Sequence, residues 1–299
     1  MSRLQDGSFQ HEEITLHYRV GGRGPLMLFV HGFPSCGHSF RHQLEYFART
    51  HRVLAVDALG ANRSSKPASL APYRVPALAA QIDALARSVA GDEPFILVGH
   101  DWGGALAWSF AAAWPQRLRA VIVMNAPPYN LLLDLLASDA EQRERSSYMY
   151  SMRDGKQHQA LTADGGRRTW EFAYAPMREL PHFTEADDEV FREALAQPGA
   201  IDGGINWYRA NIPAIDDIGD ADYWPARGTR IRTPALLLWG ETDGTFVPRF
   251  IDLLDAACDD LTVVRMADVG HWTMLQAPTA SNDAMAAFLD RLPATATSS

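Results

Sequence analysis

Gly99-His100-Asp101-Trp102-Gly103-Gly104 follows an apolar run, Phe95-Ile96-Leu97-Val98, and opens into an Ala-rich stretch of helical character. The succession reads as a strand, a sharp turn and a helix, with an acidic residue at the apex. Glycines on both sides permit a bend that bulkier residues resist, and such an elbow holds its central side chain at the top of a sheet. A carboxylate in that place is a distinctive nucleophile, because its attack on carbon forms an alkyl-enzyme ester. The competing reading is an Asp that merely caps the following helix. The flanking glycines and the partners found along the chain speak against it.

Around this elbow the hydrophobic pattern repeats. Residues 14–20 (ITLHYRV) alternate apolar and polar, as a half-buried antiparallel strand does. Residues 25–30, 53–56, 120–124 and 235–239 are continuous apolar runs of buried-strand type, and 261–264 is a shorter one. Helix-like stretches lie near 40–49, 75–90, 103–114, 246–257 and 276–291. This alternation predicts an α/β fold with a mainly parallel sheet and helices on both faces. Between residues 127 and 230 the rhythm breaks into a segment rich in Asp, Glu, Arg and aromatics. The expected division is a core of residues 1–127 and 230–299 and a helical cap of 128–229. A cap there would cover the carboxyl ends of the strands, where open α/β sheets take their ligands. The tail from 293 to 299 reads as disordered.

With 299 residues, 47% hydrophobic and 21% charged, the chain suffices for one large α/β domain with an insertion, or two modest domains. Its net charge of −9 is spread without a basic block, which argues against nucleic acid and anionic membranes as partners. Cys36 and Cys258 give neither a disulfide framework nor a metal-binding CxxC spacing. The first residues lack an apolar stretch, and no run approaches the roughly 18 residues that span a bilayer. A cytoplasmic protein is expected.

An ester on Asp101 needs a second group to activate water, best a histidine held by an acid. Of ten histidines, His271 in Val269-Gly270-His271-Trp272 follows the final apolar strand. Most histidines in a chain are structural, so position decides here. Asp243 follows the preceding buried strand, although an Asp-Gly pair is also a common turn. The order Asp101, Asp243, His271 is that of nucleophile, acid and base in this architecture. The strand before ends in Asn125-Ala126-Pro127 with no carboxylate, which favours Asp243; Glu241 is the second candidate. His31-Gly32-Phe33-Pro34 follows another buried strand. Its Phe33 N–H and that of Trp102 form a two-donor oxyanion hole, with His31 bracing the turn.

HGFP at 31–34, RHQ at 41–43, GHDWGG at 99–104, NAP at 125–127, NWYRA at 206–210 and GHW at 270–272 resemble the α/β-hydrolase-fold epoxide hydrolases, over nearly the whole chain. The resemblance implies an eight-stranded, mostly parallel sheet, a small-molecule epoxide as partner, no cofactor or metal, and allows a homodimer. It also implies two cap tyrosines that protonate the epoxide oxygen. Tyr208 matches one. The other is Tyr148, in Ser146-Ser147-Tyr148-Met149-Tyr150, with Tyr150 as the alternative. The two sit about 200° apart on a helix, so only one faces the cleft. His31, Pro34, Trp102, Tyr150, Trp207 and Trp272 are the expected substrate-contacting residues. Residues 57–67, His38 and Phe40 depart from the family pattern, which bears on pocket lining. Trp170, Phe172, Phe183 and Trp224 line an apolar pocket or form cap core. The rival readings are a dehalogenase using the same carboxylate and a non-catalytic binding protein. Haloalkane dehalogenases commonly carry Asn where Phe33 stands; fluoroacetate dehalogenases resemble a pattern with arginines at the places of Trp102 and Ala105.

Overall fold

Each apolar run is too hydrophobic to leave a face in water, and they assemble side by side. In the computed structural model, which describes residues 4–293, they form one eight-stranded sheet in the order β1-β2-β4-β3-β5-β6-β7-β8. The strands are β1 Gln5–His11, β2 Ile14–Gly22, β3 Leu26–Val30, β4 Arg52–Val56, β5 Phe95–His100, β6 Leu118–Met124, β7 Ala235–Gly240 and β8 Leu261–Met266. β1 and β2 pair antiparallel and β2 joins β4 antiparallel, while every other neighbour is parallel. The expected α/β-hydrolase architecture is present.

Side chains alternate between the two faces. Leu28, Leu97 and Leu237 belong to one buried cluster, with Leu78 and Leu85 of helix α2 (Val75–Ala90) and Leu106 and Phe110 of α3 (Trp102–Ala113). Phe29, Val98 and Leu238 belong to the other, with Leu44 of α1 (Arg41–Phe47) and residues near the C-terminus. A fully buried side chain of this size contributes about 1.5–3 kcal/mol. β1 escaped the sequence reading because QDGSFQH carries one large apolar residue; backbone pairing to β2 makes it a strand.

After Met124 the chain leaves the sheet and returns at Ala235 through α4 Tyr129–Ser138, α5 Ala140–Arg145, α6 Ser147–Arg153, α7 His158–Tyr174, α8 Glu185–Ala196 and α9 Ala200–Asn211. α7 is broken at Ala163–Gly166, where Asp164, Gly165 and Gly166 take positive φ. A capping box of Thr184 and Asp187 starts α8. α9 lies directly on the core loop at Gly60, where an added Cβ would come within 2.7 Å of the Gly203 carbonyl. The Trp207 indole N–H donates to the Leu59 carbonyl at 2.8 Å, anchoring α9 on the core. Beyond it follow α10 Phe250–Ala257, α11 Thr273–Gln276 and α12 Pro278–Asp290. Among the described residues no helix is long and apolar enough to cross a membrane. Most of the tail read as disordered, residues 294–299, lies outside the described residues.

Candidate active site

The elbow is built from backbone constraints. Asp101 has φ 54° and ψ −124°, a conformation that costs a non-glycine residue about 1–3 kcal/mol. A Cβ at Gly99 would strike the backbone of Gly103, and one at Gly103 the Val30 carbonyl, so the turn closes only with glycine at both. A Cβ at Gly32 would meet the Asp101 carboxylate itself.

That carboxylate accepts the Phe33 N–H at 2.9 Å, and the Trp102 N–H turns toward it from the other side. Burial raises its pKa, and the pull of His271 and the two N–H donors does not cancel this. The Asp101 carboxylate is therefore poorly solvated. His271 Nε2 lies 3.7 Å from Asp101 Oδ2, beyond direct hydrogen bonding, while His271 Nδ1 donates to Asp243 Oδ2 at 2.8 Å. Burial alone would lower the pKa of His271; the charge and hydrogen bond of Asp243, with help from Asp101, outweigh it and raise the pKa. Burial likewise opposes ionisation of Asp243, yet His271 and the Thr245 N–H, 2.8 Å from Oδ1, hold it well below the usual carboxylate range. Glu241 instead pairs with Arg265 at 2.6 Å, away from the imidazole.

Facing Asp101 are two phenols. Tyr208, 2% exposed, meets the Trp102 ring edge-on at 5.2 Å, and the Tyr148 and Tyr208 rings meet edge to face at 6.1 Å. Burial, then neighbouring charge including that of Asp101, pushes both phenol pKa values well up, so both stay protonated donors. Tyr150 lies elsewhere, under the Arg153 guanidinium at 5.1 Å. The helical offset sends Tyr148 and Tyr150 to different sides, and the cleft takes Tyr148.

Other expected substrate contacts have structural jobs. His31 is buried and uses both ring nitrogens, Nδ1 on the Gly32 carbonyl at 2.7 Å and Nε2 on the Ala58 N–H at 2.9 Å. It shapes the turn that presents Phe33 and has no ring atom left for a substrate. The Pro34 carbonyl accepts the Tyr174 hydroxyl at 2.6 Å. Trp207 is the strut to Leu59. Trp272 packs on His100 at 5.0 Å and on His271 at 5.4 Å, buttressing the imidazole. Residues 57–67 both brace and line: Asp57 accepts from His17 Nδ1 at 2.7 Å and the Gly37 N–H at 2.9 Å, while Ala58, Leu59, Ala61 and Asn62 line a small cavity beside Phe33. Of the aromatics between β6 and β7, Phe172 is 86% exposed, Trp170 donates to Asp188, Phe183 stacks on Phe191, and Trp224 packs on Trp114. The small cavity at Asp101 is walled instead by Trp102, Ala105, Pro127, Leu132, Met149 and Phe246.

Sequence reading missed Asn125. At φ 44°, which asparagine tolerates better than most residues, it donates to Asp243 Oδ2 at 3.0 Å and accepts the Gly240 N–H at 3.1 Å. The available signal was an Asn at the end of a buried strand, dismissed because it is not a carboxylate.

Known proteins share this fold. The model of the alpha/beta hydrolase fold family matches residues 25–278. Mouse epoxide hydrolase 4 is 30% identical over 286 residues, covering 92% of this chain and 76% of the relative. Mouse epoxide hydrolase 3 is also 30% identical, covering 93% and 75%. The crystal structure of a Bacillus megaterium epoxide hydrolase in complex with an inhibitor superposes with a TM-score of 0.88 at 26% identity, covering 95% of this chain and all of that one. The chain belongs to the α/β-hydrolase-fold family and, within it, to the epoxide hydrolases.

Proposed function

We propose that this enzyme converts an epoxide and water to a vicinal diol in two steps. Asp101 attacks one epoxide carbon; the C–O bond to the ring oxygen breaks, and Tyr208 and Tyr148 donate to the departing alkoxide. The tyrosines are needed because an alkoxide is a poor leaving group without an acid, which contributes typically 10²–10⁴-fold. Water, deprotonated by His271 Nε2, then adds to the ester carbonyl. Asp243 orients the imidazole and stabilises its charged form. The N–H groups of Phe33 and Trp102 hold the tetrahedral oxyanion, and the diol leaves with one oxygen from Asp101.

The observation that carries the reading is the pair of protonated phenols facing one buried carboxylate. A halide leaving group has no use for two phenolic acids, whereas an epoxide oxygen does. The helical segment between β6 and β7 is read as the cap that supplies them and walls the cavity in apolar side chains, which suits a hydrophobic epoxide.

Single-turnover reaction in ¹⁸O-water tests the ester. The first diol should carry only light oxygen at its new hydroxyl, and the label should appear in the Asp101 peptide. Label in the first diol would mean direct hydration and refute the scheme. Halide release without diol from a panel of haloalkanes and epoxides would favour the dehalogenase.

A further inference from the structure

On another part of the molecule, sharing no lining residue with Asp101, His271 or the two tyrosines, a broad open cleft of about 840 Å³ lies between α1, α12 and the cap residues near 182. Its walls carry Arg19, Arg41 and Arg49 with three histidines, His38, His42 and His182, against Glu45. Arg41 is the unusual member. Its Nε is spent on Asp187 at 2.6 Å, and its side chain is only 12% exposed. Both terminal amino groups are nevertheless buried without a hydrogen-bond partner. The same holds for His38 Nδ1, His42 Nε2 and Asn282 Oδ1, all from residues of this cleft. Five of the thirteen orphaned buried polar atoms among the described residues thus belong to its lining.

Buried donors without acceptors are costly and call for a ligand or ordered water. Here the donors include both arms of a guanidinium fork that lies over the Phe183 ring at 5.6 Å and would turn toward the cleft to meet a two-oxygen anion. Asp187 neutralises one positive charge, since it also accepts His38 at 2.8 Å. Arg49 stacks on Tyr46 and donates to its carbonyl, which leaves its charge uncompensated at the rim. Burial, followed by the charge of Arg41, presses the His42 pKa down to about 4.

We propose that this cleft is a binding site for a small oxyanion, a phosphate or carboxylate group held across Arg41 with Arg49 at the rim. The bound group would sit beside α1, in a cleft that His182 also lines.

Thermal-shift and calorimetric titrations of the intact protein with inorganic phosphate and with succinate, at constant ionic strength set by chloride, test it. Wild type should show saturable binding with a rise in Tm. Phosphate alone doing so assigns the site to phosphoryl groups, and both doing so assigns it to oxyanions in general. Arg41→Gln should abolish the effect. Because that change also disturbs the Asp187 pair, Arg49→Glu provides a second variant that leaves every buried contact in place and should weaken binding at least tenfold. Diol formation at saturating epoxide should stay within about twofold in Arg49→Glu. No saturable binding of either anion, or equal binding in wild type and both variants, overturns the proposal and leaves water as the occupant.

Discussion

Asn125 donates from Nδ2 to Asp243 Oδ2 at 3.0 Å, onto the same oxygen that receives His271 Nδ1. Its own Oδ1 accepts the Gly240 N–H, so one amide links the end of β6 to the loop after β7 and fixes where the acid points. Asn125→Ala should therefore do two things. Leaving the buried Gly240 N–H unpaired costs about 1–3 kcal/mol of stability. Removing a donor from Asp243 concentrates its charge on the imidazole, so the acid limb of ester hydrolysis should move to higher pH. Chemical denaturation and a kcat–pH profile check both; an unmoved limb would mean that Asn125 is only a structural tie.

The phenols should be separable by stage. Tyr208→Phe and Tyr148→Phe are each expected to slow ester formation by about 10–10² fold, and the double variant by at least about 10³, within the range of general-acid catalysis. Hydrolysis of the ester should be little changed. Tyr150→Phe, beneath Arg153, should stay near wild type. Stopped-flow quenching of Trp102, which touches the Tyr208 ring, reads the first step.

Loss of the base should stall the reaction halfway. His271→Gln is expected to form ester at a near-normal rate and then accumulate it, visible as a substrate-sized mass increase on the Asp101 peptide. Asp101→Ala should show neither ester nor turnover.

The proposed hydrolysis requires a neutral His271, and Asp243 raises the pKa of that imidazole above its ordinary value of about 6.5. Ester breakdown should therefore fall tenfold per unit as pH drops below the raised value, and be flat above it. Asp243→Asn removes the counter-charge, so the limb should move to lower pH while the plateau falls by about 10²–10⁴ fold. A limb that stays in place would show that Asp243 does not set the imidazole.

The elbow stores strain that glycine would release. In Asp101→Gly the φ of 54° becomes unstrained and a desolvated carboxylate disappears. Glycine's extra freedom in the unfolded chain offsets part of this, so a net gain of about 1 kcal/mol and a Tm rise of about 2 °C are expected, with activity lost. Calorimetry showing a lower Tm would contradict a strained nucleophile.

Buried strands were legible because continuous apolar runs have few other fates; β1 was not, since its pairing is made by backbone atoms that every sequence shares. The elbow glycines were legible for a related reason, as only they permit the approach of Gly99 to Gly103 and of Gly103 to Val30. Aromatics were the poor guide. Trp207 and Trp272 read as substrate contacts but serve as packing and struts, because a large ring suits either purpose and its surroundings decide.

By itself, then, the sequence determined the α/β class, the elbow with its carboxylate apex, and the order in which acid and base follow along the chain. These are local or periodic properties, written in residue spacing. Only the tertiary structure decided which tyrosine of the pair at 148 and 150 meets Tyr208, that Asn125 holds Asp243, and that His31 is turned into the core. Those depend on where a helix or strand end lands against elements roughly 30–120 residues away, and contact geometry at that range is set by packing.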